Sequence, residues 1–289
     1  MNKYIEIEQR AIKLLRDRGI YGHVAADRFV NDFVAYLIKF DALEAGNAED
    51  TLTLLEDDNN LTDGNILKTN FRKNIFDLVS PVLRKDPIFW LLFPVLLLNK
   101  GKGVGVGELV LPLILSGYRF SNTSDGILYE NWKSEIKNNG ASLKPVASGI
   151  TVKGLVDKLN AKYFNGTVPG MKDRKKFNAH LATIKDPSVY RAYFEELYVS
   201  CDVTSLVEEV THCYQNADLF NEAVGKFALR EYQKVDGWNN IMYIDCDSMQ
   251  IVNIADVSNI DGLGLSFSPK LARKKDTQAI SDGYVNVKI

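Results

Sequence analysis

The sequence predicts a mixed α+β fold, helical on its N-terminal side and strand-rich toward its C-terminal end. Three observations carry this. Apolar residues recur at helical spacing over 5–15 and 24–40 and again from 188 to 234. From Trp238 onward, NNIMYIDC, MQIVNIADV, GLGLSFS and GYVNVKI alternate apolar and polar residues between Asp, Gly and Asn turns, the pattern of a small antiparallel sheet. Between these regions, Gly107–Lys144 passes from a short apolar helix into alternating strands.

Taken in order, Ile5–Leu15 forms a helix that Gly19 closes, and Val24–Phe40 forms a second with Phe29, Phe33, Tyr36 and Phe40 along it. Residues 41–65 are acidic and rich in Asn, Asp and Gly, an exposed connection with one helical turn at Leu52–Leu55. Phe71–Val82 returns to helical spacing. Ile88–Leu98 is the most apolar run and is too short to span a membrane, so it reads as buried helix. Further helices are expected at Val152–Phe164, Phe177–Thr183, Ser188–Val199, Ser205–Tyr214 and Ala217–Lys234, the aromatics Tyr190, Tyr193, Phe194 and Tyr198 serving as packing. These elements group into a helical N-terminal region (1–85), a core with a helical insertion (86–236) and an antiparallel β segment (237–289) that either extends the core or stands apart.

Bulk composition narrows the function classes. With 35 Lys and Arg against 37 Asp and Glu, the net charge of −2 gives no chain-wide basic signal, so any nucleic-acid contact must come from a local patch. Cys201, Cys213 and Cys246 lack CxxC spacing and are odd in number, which points to a reducing compartment. Cys201, His212 and Cys213 fit no zinc spacing, and His23 and His180 stand alone. The charged amphipathic N-terminus does not resemble a signal peptide. A cytoplasmic protein without membrane association is expected.

Gly101, Gly103, Gly105 and Gly107 precede Glu108, but neither phosphate-loop fingerprint is complete. Glu108-Leu109 stands where a Walker loop needs Lys-Ser/Thr, and no strand precedes the glycines as a dinucleotide fold requires. The glycines instead allow a tight approach beside a packed site.

The chemistry-bearing residues follow. Glu108 opens a short helix, Asp125 opens a short strand, and Glu135 and Lys137 lie two apart on the next strand, hence on one face. Carboxylates are the ligands a hard divalent cation prefers, and a lysine on the same surface can orient water or stabilise a developing oxyanion. This set suits metal-assisted hydrolysis of a phosphodiester. For Asp125 to share the face of the pair, the hairpin connection must have an odd number of residues. The simplest register sets Asp125 opposite Lys137 across Glu130, Asn131 and Trp132, with Asn131 in a left-handed turn conformation.

These residues resemble the PD-(D/E)XK nuclease superfamily, whose signature is a helical glutamate, an aspartate at a strand start and Glu-X-Lys on the next strand. The resemblance covers about forty residues and implies a mixed central sheet of restriction-endonuclease-like type flanked by helices. It implies Glu108, Asp125 and Glu135 as ligands of Mg2+, with Mn2+ as a substitute, and Lys137 as the water-orienting or charge-stabilising group. DNA would be the partner, a homodimer or larger assembly being compatible with the family, which includes phage, restriction and repair nucleases. Two departures stand out: Ser124 replaces the proline of the family name, and Pro112 lies one turn after Glu108, which favours a helix that starts later and leaves Glu108 on its cap.

Lys144 and the clusters Lys172, Arg174, Lys175, Lys176 and Arg273, Lys274, Lys275 are candidate DNA-backbone contacts. The expected function is a metal-dependent DNA endonuclease or exonuclease. The alternatives are a non-catalytic phage-type assembly or DNA-packaging protein that keeps a nuclease-like scaffold, and a helical interaction protein in which the constellation is accidental.

Overall fold

The computed structural model of this chain describes residues 3–43, 47–98, 105–121, 124–143, 183–199, 201–270 and 284–289. Along these run α1 (Lys3–Asp17), α2 (Asp27–Leu43), α3 (Ala48–Glu56), β1 (Thr62–Asp63), β2 (Phe71–Asn74), α4 (Pro87–Leu97), α5 (Val106–Ile114), β3 (Leu115–Ser116), β4 (Tyr118–Phe120), β5 (Gly126–Leu128), β6 (Trp132–Asn138) and β7 (Ser142–Leu143). They continue with α6 (Pro187–Leu197), α7 (Thr204–His212), α8 (Ala217–Asp236), β8 (Asn240–Asp245), β9 (Gln250–Ile254), β10 (Ser266–Lys270) and β11 (Tyr284–Lys288). The fold is mixed α+β with a helical N-terminal side. No helix among the described residues is long and apolar enough to cross a membrane.

The chain forms two compact units, residues 1–139 with 238–263 and residues 140–237 with 264–289. In the first, a six-stranded sheet has the order β2-β9-β8-β6-β5-β4; β6 and β8 run parallel and every other neighbouring pair is antiparallel. Strand alternation sorts its side chains into two faces. Phe71, Tyr118, Phe120, Leu128, Ile136, Met242, Ile244 and Ile251 share one face and join the apolar cluster built by α1 to α5. The opposite face carries Arg119, Ile127, Lys133, Glu135, Lys137, Ile241 and Tyr243. Buried polar groups cross the packed face in a closed chain. The Trp132 indole N–H and the Ser134 hydroxyl both donate to Asn240 Oδ1 at 2.7 Å. The Asn240 amide donates to Asn253 at 2.6 Å, and Asn253 donates to the Leu67 and Thr69 carbonyls at 2.9 and 2.7 Å.

The end of α1 is tied to the edge strand of this sheet. Gly19 closes the helix at φ +78°, and the Phe120 N–H donates to the Arg18 carbonyl at 3.0 Å. The Arg18 side chain is buried; it pairs with Asp58 at 2.7 Å and donates to the Leu55 carbonyl at 2.9 Å.

In the second unit, β10, β11 and β7 form an antiparallel sheet in that order, and α8 packs on it so closely that a Cβ on Gly225 would stand 2.2 Å from the Phe267 ring. Tyr190, Tyr193, Phe194 and Tyr198 are buried with Phe220 and Phe227, so the aromatic run of α6 is core.

Three expectations need correction. Phe71–Val82 is not a helix: Phe71–Asn74 is an edge strand paired with β9, followed by one 3-10 turn. Its backbone donors and acceptors are satisfied by a partner about 180 residues away, and this tertiary pairing overrides the local periodicity. The strands after Trp238 are antiparallel in sequential pairs, β8 with β9 and β10 with β11, but they divide between two sheets: β8 also lies parallel beside β6, and β11 pairs on its other side with β7. The helical turn at Leu52–Leu55 extends to nine residues, capped by Asn47 accepting from the Glu49 N–H. The expected helices at 152–164 and 177–183 fall wholly or almost wholly outside the described residues.

Candidate active site

The hairpin of β5 and β6 builds the site. Gly126 pairs with Ser134, Ile127 with Lys133 and Leu128 with Trp132, leaving Tyr129, Glu130 and Asn131 as a three-residue connection. The odd count is the one expected, but the centre is Glu130 rather than Asn131, and the register continues to Asp125 opposite Glu135 rather than Lys137. The shift is two residues, so Asp125 keeps the expected face. Tyr129 (φ 46°) and Glu130 (φ 68°) take the left-handed positions expected of Asn131.

Asp125 sits at the mouth of the hairpin, and its Oδ2 accepts from the Ile136 N–H at 2.7 Å. Its carboxyl meets that of Glu135 directly. Glu135 is 4% exposed and lies against the Lys137 ammonium, two residues along the strand. Burial first, then repulsion from Glu135, pushes Asp125 up to about 6.

Glu108 arrives from α5. A Cβ on Gly107 would lie 2.2 Å from Ile244 Cδ1 and 3.0 Å from Ile136 Cγ2, so the absence of a side chain lets the helix settle directly on the sheet. This answers why a glycine precedes Glu108. The helix does not start late, as Pro112 suggested: it begins at Val106 and runs through Pro112, with Glu108 in its first turn. The Glu108 carboxylate reaches back to accept from the Gly105 N–H at 2.6 Å. Burial raises its pKa to about 7, with further repulsion from Asp125 and Glu135 and partial relief from Lys137.

The fold therefore brings Glu108, Asp125, Glu135 and Lys137 into one electrostatic neighbourhood. Among the described residues no three His, Cys, Asp or Glu side chains converge as a ready metal cage. Asp125 and Glu135 converge, whereas Glu108 is engaged with its own helix start. The donor chemistry nevertheless fits a hard divalent cation: oxygen ligands only, and three acids against one lysine, with burial holding two of those acids far above their ordinary range. Ser124, where the family signature has proline, is buried and donates to the Gly126 carbonyl at 3.1 Å, bracing the turn that presents Asp125.

Lys144, Lys172, Arg174, Lys175, Lys176, Arg273, Lys274 and Lys275 lie outside the described residues. Sequence reasoning passed over Tyr118, whose fully buried hydroxyl projects over Gly126, where a Cβ would be 1.8 Å away. Its ionisation is suppressed by burial and, further, by the Asp125 and Glu108 charges, which places it beside the site as a neutral phenol. The alternation of Tyr118, Arg119 and Phe120 was the available signal.

No family model, curated protein or solved structure matches this chain.

Proposed function

We propose that this protein is a metal-dependent phosphodiesterase acting on DNA, a nuclease of the PD-(D/E)XK type. The observation that carries the reading is the meeting of Asp125, Glu135 and Lys137 on one face of a tightly registered hairpin, with Glu108 close enough to feel all three. Asp125 and Glu135 would hold the ion, with Glu108 joining them by releasing the Gly105 N–H. Bound Mg2+ or Mn2+ would supply Lewis-acid polarisation of a phosphate oxygen and lower the pKa of water.

The chain's own groups do the rest. The Ile136 N–H holds one oxygen of Asp125 and so fixes how the carboxylate is presented. Lys137, held against Glu135, presents a positive charge where a pentavalent phosphate gathers negative charge, and can orient the attacking water. The packed face behind Ile136 excludes solvent, which strengthens each of these interactions.

Incubating the purified chain with supercoiled and linear DNA, with Mg2+, Mn2+ or EDTA, tests the reading alongside Asp125→Asn and Lys137→Ala. Cleavage should require the metal and fall by about 100-fold or more in each variant; metal-independent cleavage, or full activity in either variant, would overturn it. One observation favours a second reading, a DNA-binding scaffold without catalysis: the Glu108 carboxylate caps its own helix. Binding without cleavage under every metal condition would select it.

A further inference from the structure

The face that carries the acids continues past them toward the hairpin turn. Arg119 on β4 is opposite Ile127, which is opposite Lys133 on β6, so the three form one cross-strand row. The adjacent row on the same face is Ser121, Asp125 and Glu135, by continuation of the same registers. Successive same-face rows are about 6.6–6.8 Å apart along a strand, the scale of one nucleotide step. Arg119 and Lys133 are exposed, and Ile127 between them is half-buried.

Arg119, Ser121 and Ile127 also line a groove along the sheet edge, which continues to Tyr129 and Glu130 at the turn. Of the two acids in its wall, Asp58 is already neutralised by Arg18 at 2.7 Å and accepts from the Gly117 N–H at 3.3 Å. Glu130 stands at the far end, at the tip of the hairpin. The groove thus offers Arg119 one row from the acids, the apolar Ile127 beside it and a negative charge one step further on, and the exposed Lys133 completes the same cross-strand row just outside the groove.

We propose that Arg119 and Lys133 hold the phosphate adjacent to the reactive one in the bound DNA strand, over the floor made by Ile127, and that Glu130 ends the track after that single step. The assignment rests on the reading of Asp125 and Glu135 as the reactive centre for its direction, and on the basic row alone for its affinity.

The test measures fluorescence anisotropy of a labelled oligonucleotide, single-stranded and duplex, with Ca2+ in place of Mg2+ to hold turnover down. Arg119→Gln, Lys133→Gln, the double variant and Glu130→Lys are compared with Lys39→Ala, an exposed lysine on α2 at the opposite end of α1 from Arg18. Each single loss should weaken binding by roughly 3- to 10-fold and lower the slope of log affinity against log salt by about 1, independent of sequence. Glu130→Lys should tighten binding, and Lys39→Ala should leave it unchanged. A double variant that binds like wild type, or Lys39→Ala weakening binding as much as Arg119→Gln, overturns the proposal. Failure of the two readings is separable. If wild type cleaves with Mg2+ while the double variant binds normally, the track is wrong and the diesterase stands. If wild type never cleaves but loses binding in the double variant, the track stands without the catalysis.

Discussion

Asp125 and Glu108 are acids that the fold holds at a disadvantage, and the sign of that disadvantage can be measured. Their folded-state values of about 6 and about 7 lie above the ordinary 3.8 and 4.5, so the folded protein binds more protons than the unfolded chain across that interval. Stability contributed by their protonation is therefore present at low pH and lost as pH rises through about 6 and about 7. Without divalent metal, the urea midpoint should fall between pH 5 and 8 by more in wild type than in Asp125→Asn. At pH 8 that variant should be the more stable of the two while having lost cleavage, because the amide keeps the hydrogen bond from Ile136 and removes the repulsion with Glu135. An Asp125→Asn protein less stable than wild type at every pH would show that the carboxyl is compensated in a way this geometry does not contain. The types of these residues and the two-residue spacing of Glu135 and Lys137 were legible in the chain. The raised values were not, because they arise from burial and from neighbours far apart in sequence.

At the scale of elements, α5 and the β5–β6 hairpin decide whether the site exists. Gly107→Ala would push a methyl group into Ile244 and Ile136, and overpacking of this kind costs about 1–3 kcal/mol. The variant should melt at lower urea and lose metal-dependent cleavage beyond what its lower stability explains, since Glu108 is the next residue; unchanged activity and stability would mean α5 does not set the position of Glu108. The odd-numbered hairpin connection followed from requiring one shared face. Its centre did not, because local preference assigned the left-handed conformation to Asn131 whereas the pairing of Leu128 with Trp132 put Tyr129 and Glu130 there. A similar override turned Phe71–Asn74 into a strand.

At the scale of the molecule, the first unit joins residues 1–139 to 238–263, so its sheet closes only after the second unit's helices have intervened in sequence. Asn240 is the polar junction of that closure, accepting from Trp132 and Ser134 and donating to Asn253. Asn240→Leu would leave buried partners without a hydrogen bond, at about 1–3 kcal/mol for each group left unsatisfied. Urea unfolding followed by tryptophan fluorescence should show that loss, with Trp132 itself reporting from inside the network. A variant within about 0.5 kcal/mol of wild type would mean the chain of amides is dispensable.

The sequence by itself determined the fold class, most of the helices and the residue types that the candidate site carries, because helical periodicity, strand alternation and residue type are properties of neighbours in the chain. Only the tertiary structure decided that β8 lies parallel beside β6, that Asp125 faces Glu135 rather than Lys137, and that Arg119 and Lys133 share a cross-strand row one step from the acids. Those are matters of register and burial between segments up to about a hundred residues apart, where backbone hydrogen bonding and side-chain packing across the sheet outweigh what each segment prefers alone.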